Sequence, residues 1–224
     1  MTADRTPLPT SGRFAAPQDR EFPTTSRGRR TREALVKGAR TVFARDGFLD
    51  SRLVDIATEA GIAVGSFYTY FASKEEVLLA VLENVNEGML HPVMEAASVE
   101  HASLADRIRA SHRAFLRGYR ENADLMRLLE QASAIDPEFA QWRLARDTAF
   151  VEVNARWIAR LQEDGLADAE LDAWLMAAAF SATIGRLAYS CYVLGSERDD
   201  EDMVETCVRI WVRTLRLETS AAER

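Results

Sequence analysis

Residues 55–74 read DIATEAGIAVGSFYTYFASK, and this stretch decides the fold. Leu53, Ile56, Ala57 and Ala60 recur at helical spacing and predict a short helix over 52–60, with Asp50 or Ser51 at its N-cap. Gly61 ends that helix. A second short helix is predicted from Val64 to Phe71. Two short helices about a glycine turn form the helix-turn-helix pattern, whose second helix enters the major groove of DNA while the first crosses the backbone.

On a helical wheel Phe67 and Phe71 share the inward face of the second helix. Gly65, Ser66, Tyr68 and Thr69 take the outward arc, and Val64 and Tyr70 fall at its edges. The arc is small and rich in hydroxyls. Gly65 lets the backbone approach a duplex closely. Ser66, Tyr68, Thr69 and Tyr70 can donate to phosphate oxygens, and Lys74 adds a charged contact. The plainer alternative is a helical corner carrying surface tyrosines.

Charge decides between these in part. The chain of 224 residues has a formal net charge of −7. Residues 27–74 nevertheless carry nine basic side chains against five acidic ones. Residues 75–224 carry 16 basic against 27 acidic, and the first 26 residues balance. A basic module joined to an acidic body points to a polyanion partner for one part only. The cluster Arg27-Gly28-Arg29-Arg30 is either a solvated surface or a flexible arm that neutralises phosphates, with Arg30 as a candidate contact.

Working outward, residues 1–26 are rich in Pro, Thr, Ser and Arg and read as a disordered leader. A first helix is predicted over 31–46, capped by Thr31, with Leu35, Val36, Ala39, Val42 and Phe43 as its apolar stripe and Gly47 at its end. Ser73-Lys74-Glu75-Glu76 fits a capping box that opens a fourth helix. Its apolar face is Val77, Leu78, Val81, Leu82 and Val85. It is expected to end near Gly88, with Pro92 stopping or kinking it. Long amphipathic helices are predicted over 103–121, 123–134, 137–163, 168–194 and 201–217. The fold class is all-α, with a leader at 1–26, a three-helix helix-turn-helix domain at 27–74 and a larger helical domain at 75–224.

The segments RTREALVKGARTVFARDGF (30–48) and LVDIATEAGIAVGSFYTYFASKEEVLLAVLE (53–83) resemble the DNA-binding domain of the TetR family of bacterial transcriptional repressors. The resemblance covers about Arg30 to Glu83. It implies an N-terminal three-helix DNA-binding domain, a variable helical ligand-binding domain, a homodimer, and relief of repression by a small effector. Two departures stand out. Family members often have Thr or Ser near Ala63, and alanine cannot cap. The second helix also lacks Arg, Lys, Gln and Asn, the usual readers of base edges. Base discrimination is therefore expected to lean on Arg52 and on DNA shape.

In the larger domain Phe115, Tyr119, Met126, Trp142, Phe150, Asn154, Trp157, Phe180 and Thr183 lie on expected inward faces. They are either plain core or the lining of an effector pocket, which is mostly apolar with a few polar groups. Asn154 is singled out because a buried amide needs a partner. Arg186 is expected in a salt bridge, or against an anionic effector. The aromatic content favours a hydrophobic or aromatic effector.

Ala178, Ser181, Ala182 and Gly185, with Ala188, are small residues at three- and four-residue spacing that allow close helix approach. Val208, Trp211, Val212 and Leu215, with Val204, make an apolar face on the last helix. These sets read as a homodimer interface or as an internal core pair. Two-fold symmetry suits a palindromic double-stranded DNA operator.

No apolar run approaches the length of a membrane span, and the N-terminus has no secretory signal pattern. Two cysteines form no disulfide framework, so a cytoplasmic location is expected. His91, His101 and His112 have no metal spacing and are expected to be solvated or packed. No catalytic motif, metal site or cofactor is expected. A helical enzyme or a protein-binding adaptor are the competing classes. Salt-dependent binding to duplex DNA separates the regulator from both.

Overall fold

The computed structural model describes residues 25–97 and 103–217. Residues 1–24 of the leader expected over 1–26, and His101, lie outside them, while Thr25 and Ser26 cap and begin the first helix. Nine α-helices and no strand are found among the described residues. They are α1 (Ser26–Asp50), α2 (Leu53–Glu59), α3 (Val64–Tyr70), α4 (Lys74–Ala97), α5 (Leu104–Glu121), α6 (Ala123–Ile135), α7 (Pro137–Glu163), α8 (Ala173–Tyr192) and α9 (Asp200–Thr214). The all-α class with an N-terminal helix-turn-helix holds.

Several boundaries differ from expectation, each for a local reason. The first helix starts one and a half turns early because Thr25, not Thr31, caps it: Thr25 Oγ1 accepts from the Gly28 N–H at 3.1 Å. Thr31 lies inside the helix and donates to the Arg27 carbonyl. Arg27 to Arg30 are therefore helical and form no flexible arm. Gly47 breaks the helical path at φ 76°, where a side chain would be strained. Arg52, not Ser51, holds the N-cap position of α2, while the Ser51 hydroxyl donates back to Phe48.

The fourth helix runs on through Gly88 and Pro92 to Ala97. Proline removes the hydrogen bond to the carbonyl four residues back, which is that of Gly88. Both residues are exposed. The eighth helix starts late because Asp172 caps it, accepting from the Leu175 N–H at 2.8 Å. The preceding loop is held by Gln162, which donates to the Asp168 and Leu171 carbonyls.

The chain divides into two compact units. The described part of the first comprises 25–86 and 127–144. Its core is Leu35, Ala39, Val42, Phe43, Ile56, Phe67, Phe71, Val77 and Leu78, all essentially inaccessible. Phe48 meets Phe43 and Phe139 with ring centroids 5.9 Å apart in each case, tying the end of α1 to the start of α7. Gly38 sets the approach of α1 to α2: a Cβ there would stand 3.0 Å from Ala60 N and 3.1 Å from Ile56 O.

The second unit comprises the described residues of 87–126 and 145–217. Ion pairs staple α5 to α9: Arg109 to Glu205, Arg113 to Glu201 and Arg120 to Asp200. The helices α4, α6 and α7 each contribute residues to both units.

Candidate DNA interface and effector region

The outer face of α3 is open. Gly65, Ser66 and Thr69 are exposed, Tyr68 is 51% exposed and Val64 37%, while Tyr70 is half-buried. Phe67 anchors the helix from beneath at 0% exposure, and its ring meets those of Tyr68 and Phe71. A Cβ added at Gly65 would find nothing within 4 Å, so the fold does not require glycine there. No side chain caps α3, as Ala63 dictates. The Ser66 N–H donates to the Ala63 carbonyl at 2.8 Å, and no side chain caps those of Val64 and Gly65.

The cations around this face are partly committed. The Arg52 guanidinium is bidentate on Asp55, at 2.7 and 2.8 Å, and holds that carboxyl below the usual range. Arg45 is likewise forked onto Asp46. Arg30 is exposed. Lys74 turns inward: its ammonium donates to the carbonyls of Phe48, Leu49 and Ser51 at 2.8, 3.1 and 3.3 Å and lies over the Phe48 ring. All three donors are used within the protein, and this corrects the expected phosphate contact. Ser73 and Glu76 form their capping box with a shift. Ser73 Oγ accepts from the Glu76 N–H, while the Glu76 carboxylate accepts from Ala72.

In the second unit the expected pocket residues gather into two aromatic groups. Phe115 meets Tyr119 at 5.8 Å and Phe150 at 6.3 Å, and Tyr119 meets Tyr192. Phe180 stacks on Trp211 at 4.4 Å, and Trp157 meets the same indole at 5.8 Å. Met126 is buried with its sulfur 3.7 Å from Arg146 Nη2. Trp142 belongs to the first unit instead, where it is buried. Asn154 has its partner already, donating to Ser181 Oγ at 3.1 Å. Thr183 donates to the Ala179 carbonyl. Arg186 is exposed over the Tyr189 ring rather than in a salt bridge.

The expected dimer set splits. Ala182 is exposed, and Ala178, Ser181, Gly185 and Val212 are half-buried. Val208, Trp211 and Leu215 are core of the single chain, at 3%, 4% and 0% exposure, so they are not contact surface. Helical spacing shows which residues share a face, not whether that face meets its own chain or a copy.

Two buried polar groups stand out here: Arg146, which sequence reasoning does not single out, and His112, for which packing is one of two expectations. Arg146 is 7% exposed, paired with Asp147 and set against the Phe150 ring. His112 is 7% exposed, edge-on to Trp211, and its Nε2 has no partner among the described residues. Burial pushes its pKa down to about 4, against a hydrogen bond to the Ile108 backbone. The signal was present for His112: it shares the α5 stripe of Ile108, Phe115, Leu116 and Tyr119.

Residues 35–81 match the family model described as bacterial regulatory proteins, tetR family. The chain is 40% identical over 52 residues to the uncharacterised HTH-type transcriptional regulator YerO of Bacillus subtilis, covering 23% of this chain and 18% of YerO. It is 39% identical over 56 residues to the HTH-type transcriptional repressor NicS of Pseudomonas putida, covering 25% of this chain and 26% of NicS. The match spans less than half of the length of the curated relatives, from 18% to 44%.

The fold match is wider. The fatty acid degradation regulator FadR of Bacillus halodurans superposes with a TM-score of 0.69 at 17% identity, over 84% of this chain and 97% of FadR. A Saccharomonospora viridis protein solved with choline gives a TM-score of 0.65 at 22% identity, over 81% and 95% of the two chains. Residues 35–81 match the tetR family model, and the fold around them is shared with solved structures described as TetR-family transcriptional regulators.

Among the described residues no helix is long and apolar enough to cross a membrane, and no group of His, Cys, Asp or Glu side chains could hold a metal ion.

Proposed function

We propose that this chain is a ligand-responsive transcriptional repressor, cytoplasmic, that binds a palindromic operator as a homodimer and is released by a small hydrophobic or aromatic effector. The observation that carries this reading is the outer face of α3. A glycine and three hydroxyl side chains stand exposed on a helix whose underside is locked by Phe67. That face is thin enough for the backbone to approach a groove and rich enough in donors to hold phosphates. The matched tetR segment supports it.

Dimerisation is supported by apolar side chains left open along α8: Trp174 at 48% exposure and Leu175 at 57%, in line with Ala182. Ile210 on α9 is also exposed. Effector control is supported by the aromatic groups of the second unit. Three helices run through both units, so a change in the packing of one can reach the other through α4, α6 or α7.

The test is selection from random duplexes, followed by affinity for the selected site across salt concentrations. A palindromic consensus and a salt slope of several units support the reading. Absence of duplex binding at low ionic strength overturns it.

A further inference from the structure

Neutral histidine carries one donor nitrogen and one acceptor nitrogen. At His112 the hydrogen bond runs back one helical turn to Ile108, and Nε2 is the atom without a partner among the described residues, so Nδ1–H is the donor to the Ile108 carbonyl. Nε2 is therefore a lone-pair acceptor more than nine-tenths buried. A phenyl ring would fill the same space without an unsatisfied polar atom. The side chain stands where four helices of the second unit bring their rings together: His112 on α5 meets Trp211 on α9 edge-on, and Trp211 contacts Trp157 on α7 and Phe180 on α8.

We propose that His112 Nε2 is the polar anchor of the effector site, and that its ligand is an uncharged aromatic molecule carrying a hydroxyl donor, of the phenol class. The surroundings select that chemistry. The Trp211 indole edge-on to the imidazole, itself packed against Trp157 and Phe180, favours an aromatic body. A bare acceptor takes an O–H and repels a carboxylate. Burial keeps the imidazole neutral at ordinary pH, so it offers no positive charge to an anion. The buried cation of this unit, Arg146, is paired with Asp147. The inference rests on the effector-controlled reading above and names the ligand class for it.

Full-length protein is titrated with 4-ethylphenol, with 4-ethylanisole, whose oxygen cannot donate, and with the anion 4-ethylbenzoate, reading tryptophan fluorescence. The phenol is expected to bind about tenfold or more tighter than either, and His112→Phe to weaken the phenol alone by a similar factor, as one lost buried hydrogen bond requires. His112→Gln, which keeps an acceptor, should restore part of the affinity. Equal binding of phenol and anisole, tighter binding of the benzoate, no binding of the phenol, or an unaltered phenol affinity in His112→Phe each overturn the proposal. The comparison among ligands on the wild type stands even if that variant fails to fold. Operator affinity is measured in parallel. Phenol binding without loss of DNA affinity refutes effector control and leaves the site intact. DNA binding without phenol binding refutes the site alone.

Discussion

The Lys74 ammonium sits 2.8 Å from the carbonyl oxygen of Phe48, joining the first turn of α4 to the end of α1 across 26 residues of chain. Two further carbonyls, of Leu49 and Ser51, complete its coordination. The last carbonyls of a helix lack intrahelical partners, and a cation there also meets the negative end of the helix dipole. Lys74 thus fixes how the first helix turns toward the helix-turn-helix.

Lys74→Met should therefore act on stability first. Loss of charge-assisted bonds to backbone acceptors costs about 1–2 kcal/mol at a partly exposed site. Denaturant unfolding should show this drop, while the salt slope of DNA binding should stay nearly unchanged. A slope reduced by a full phosphate with stability intact would return Lys74 to the interface.

Two glycines should respond in opposite ways to alanine. At Gly38 the new Cβ collides with backbone atoms of α2, so Gly38→Ala should destabilise by roughly 1–3 kcal/mol. At Gly65 the space is open, and Gly65→Ala should be neutral or stabilise by up to about 1 kcal/mol through helix propensity. If α3 lies against a duplex, the same Gly65→Ala protein should bind DNA more weakly. Thermal melts and binding isotherms on both variants check this.

The difference between these glycines also marks what sequence could reveal. The apolar stripes of α1 and α4 and the inward pair Phe67 and Phe71 were legible because burial follows helical period. Gly38 was not, since close approach of two helices leaves no periodic trace. Trp211 and Leu215 fit a contact surface or an internal core pair equally well in sequence, because an apolar face looks the same whether it meets its own chain or another. The inward turn of Lys74 was hidden for a related reason: its acceptors are backbone atoms, which every residue supplies. Thr25 and Thr31 are both fair caps by residue type, and the bond from the Gly28 N–H to the Thr25 side-chain oxygen separates them.

Arg52 is held in a bidentate pair by Asp55 on the exposed side of α2. If that guanidinium reads bases, Arg52→Ala should lower the ratio of specific to nonspecific DNA affinity by roughly tenfold or more, in line with one bidentate contact. Competition binding against random duplex gives the ratio. Full selectivity in the variant would exclude Arg52 from readout.

His112 should leave a mark on acid stability. Its pKa falls from about 6.5 unfolded to about 4 folded, so between these values the unfolded chain binds the proton and the folded chain does not. Its contribution is complete above pH 6.5 and is lost as pH falls toward 4, by about 3 kcal/mol in all. His112→Phe should flatten this part of the pH profile relative to wild type. Denaturation curves across that range decide it, and parallel profiles would mean the imidazole is solvated.

The central claim is that the exposed face of α3 meets double-stranded DNA. The most direct measurement is the affinity of full-length wild type and a Tyr68→Ala, Thr69→Ala double variant for the selected duplex, from low to moderate salt, with unfolding curves on both. The account predicts steep salt dependence for the wild type and a loss of about tenfold or more in the variant at unchanged stability. Equal affinity of the two proteins would contradict it.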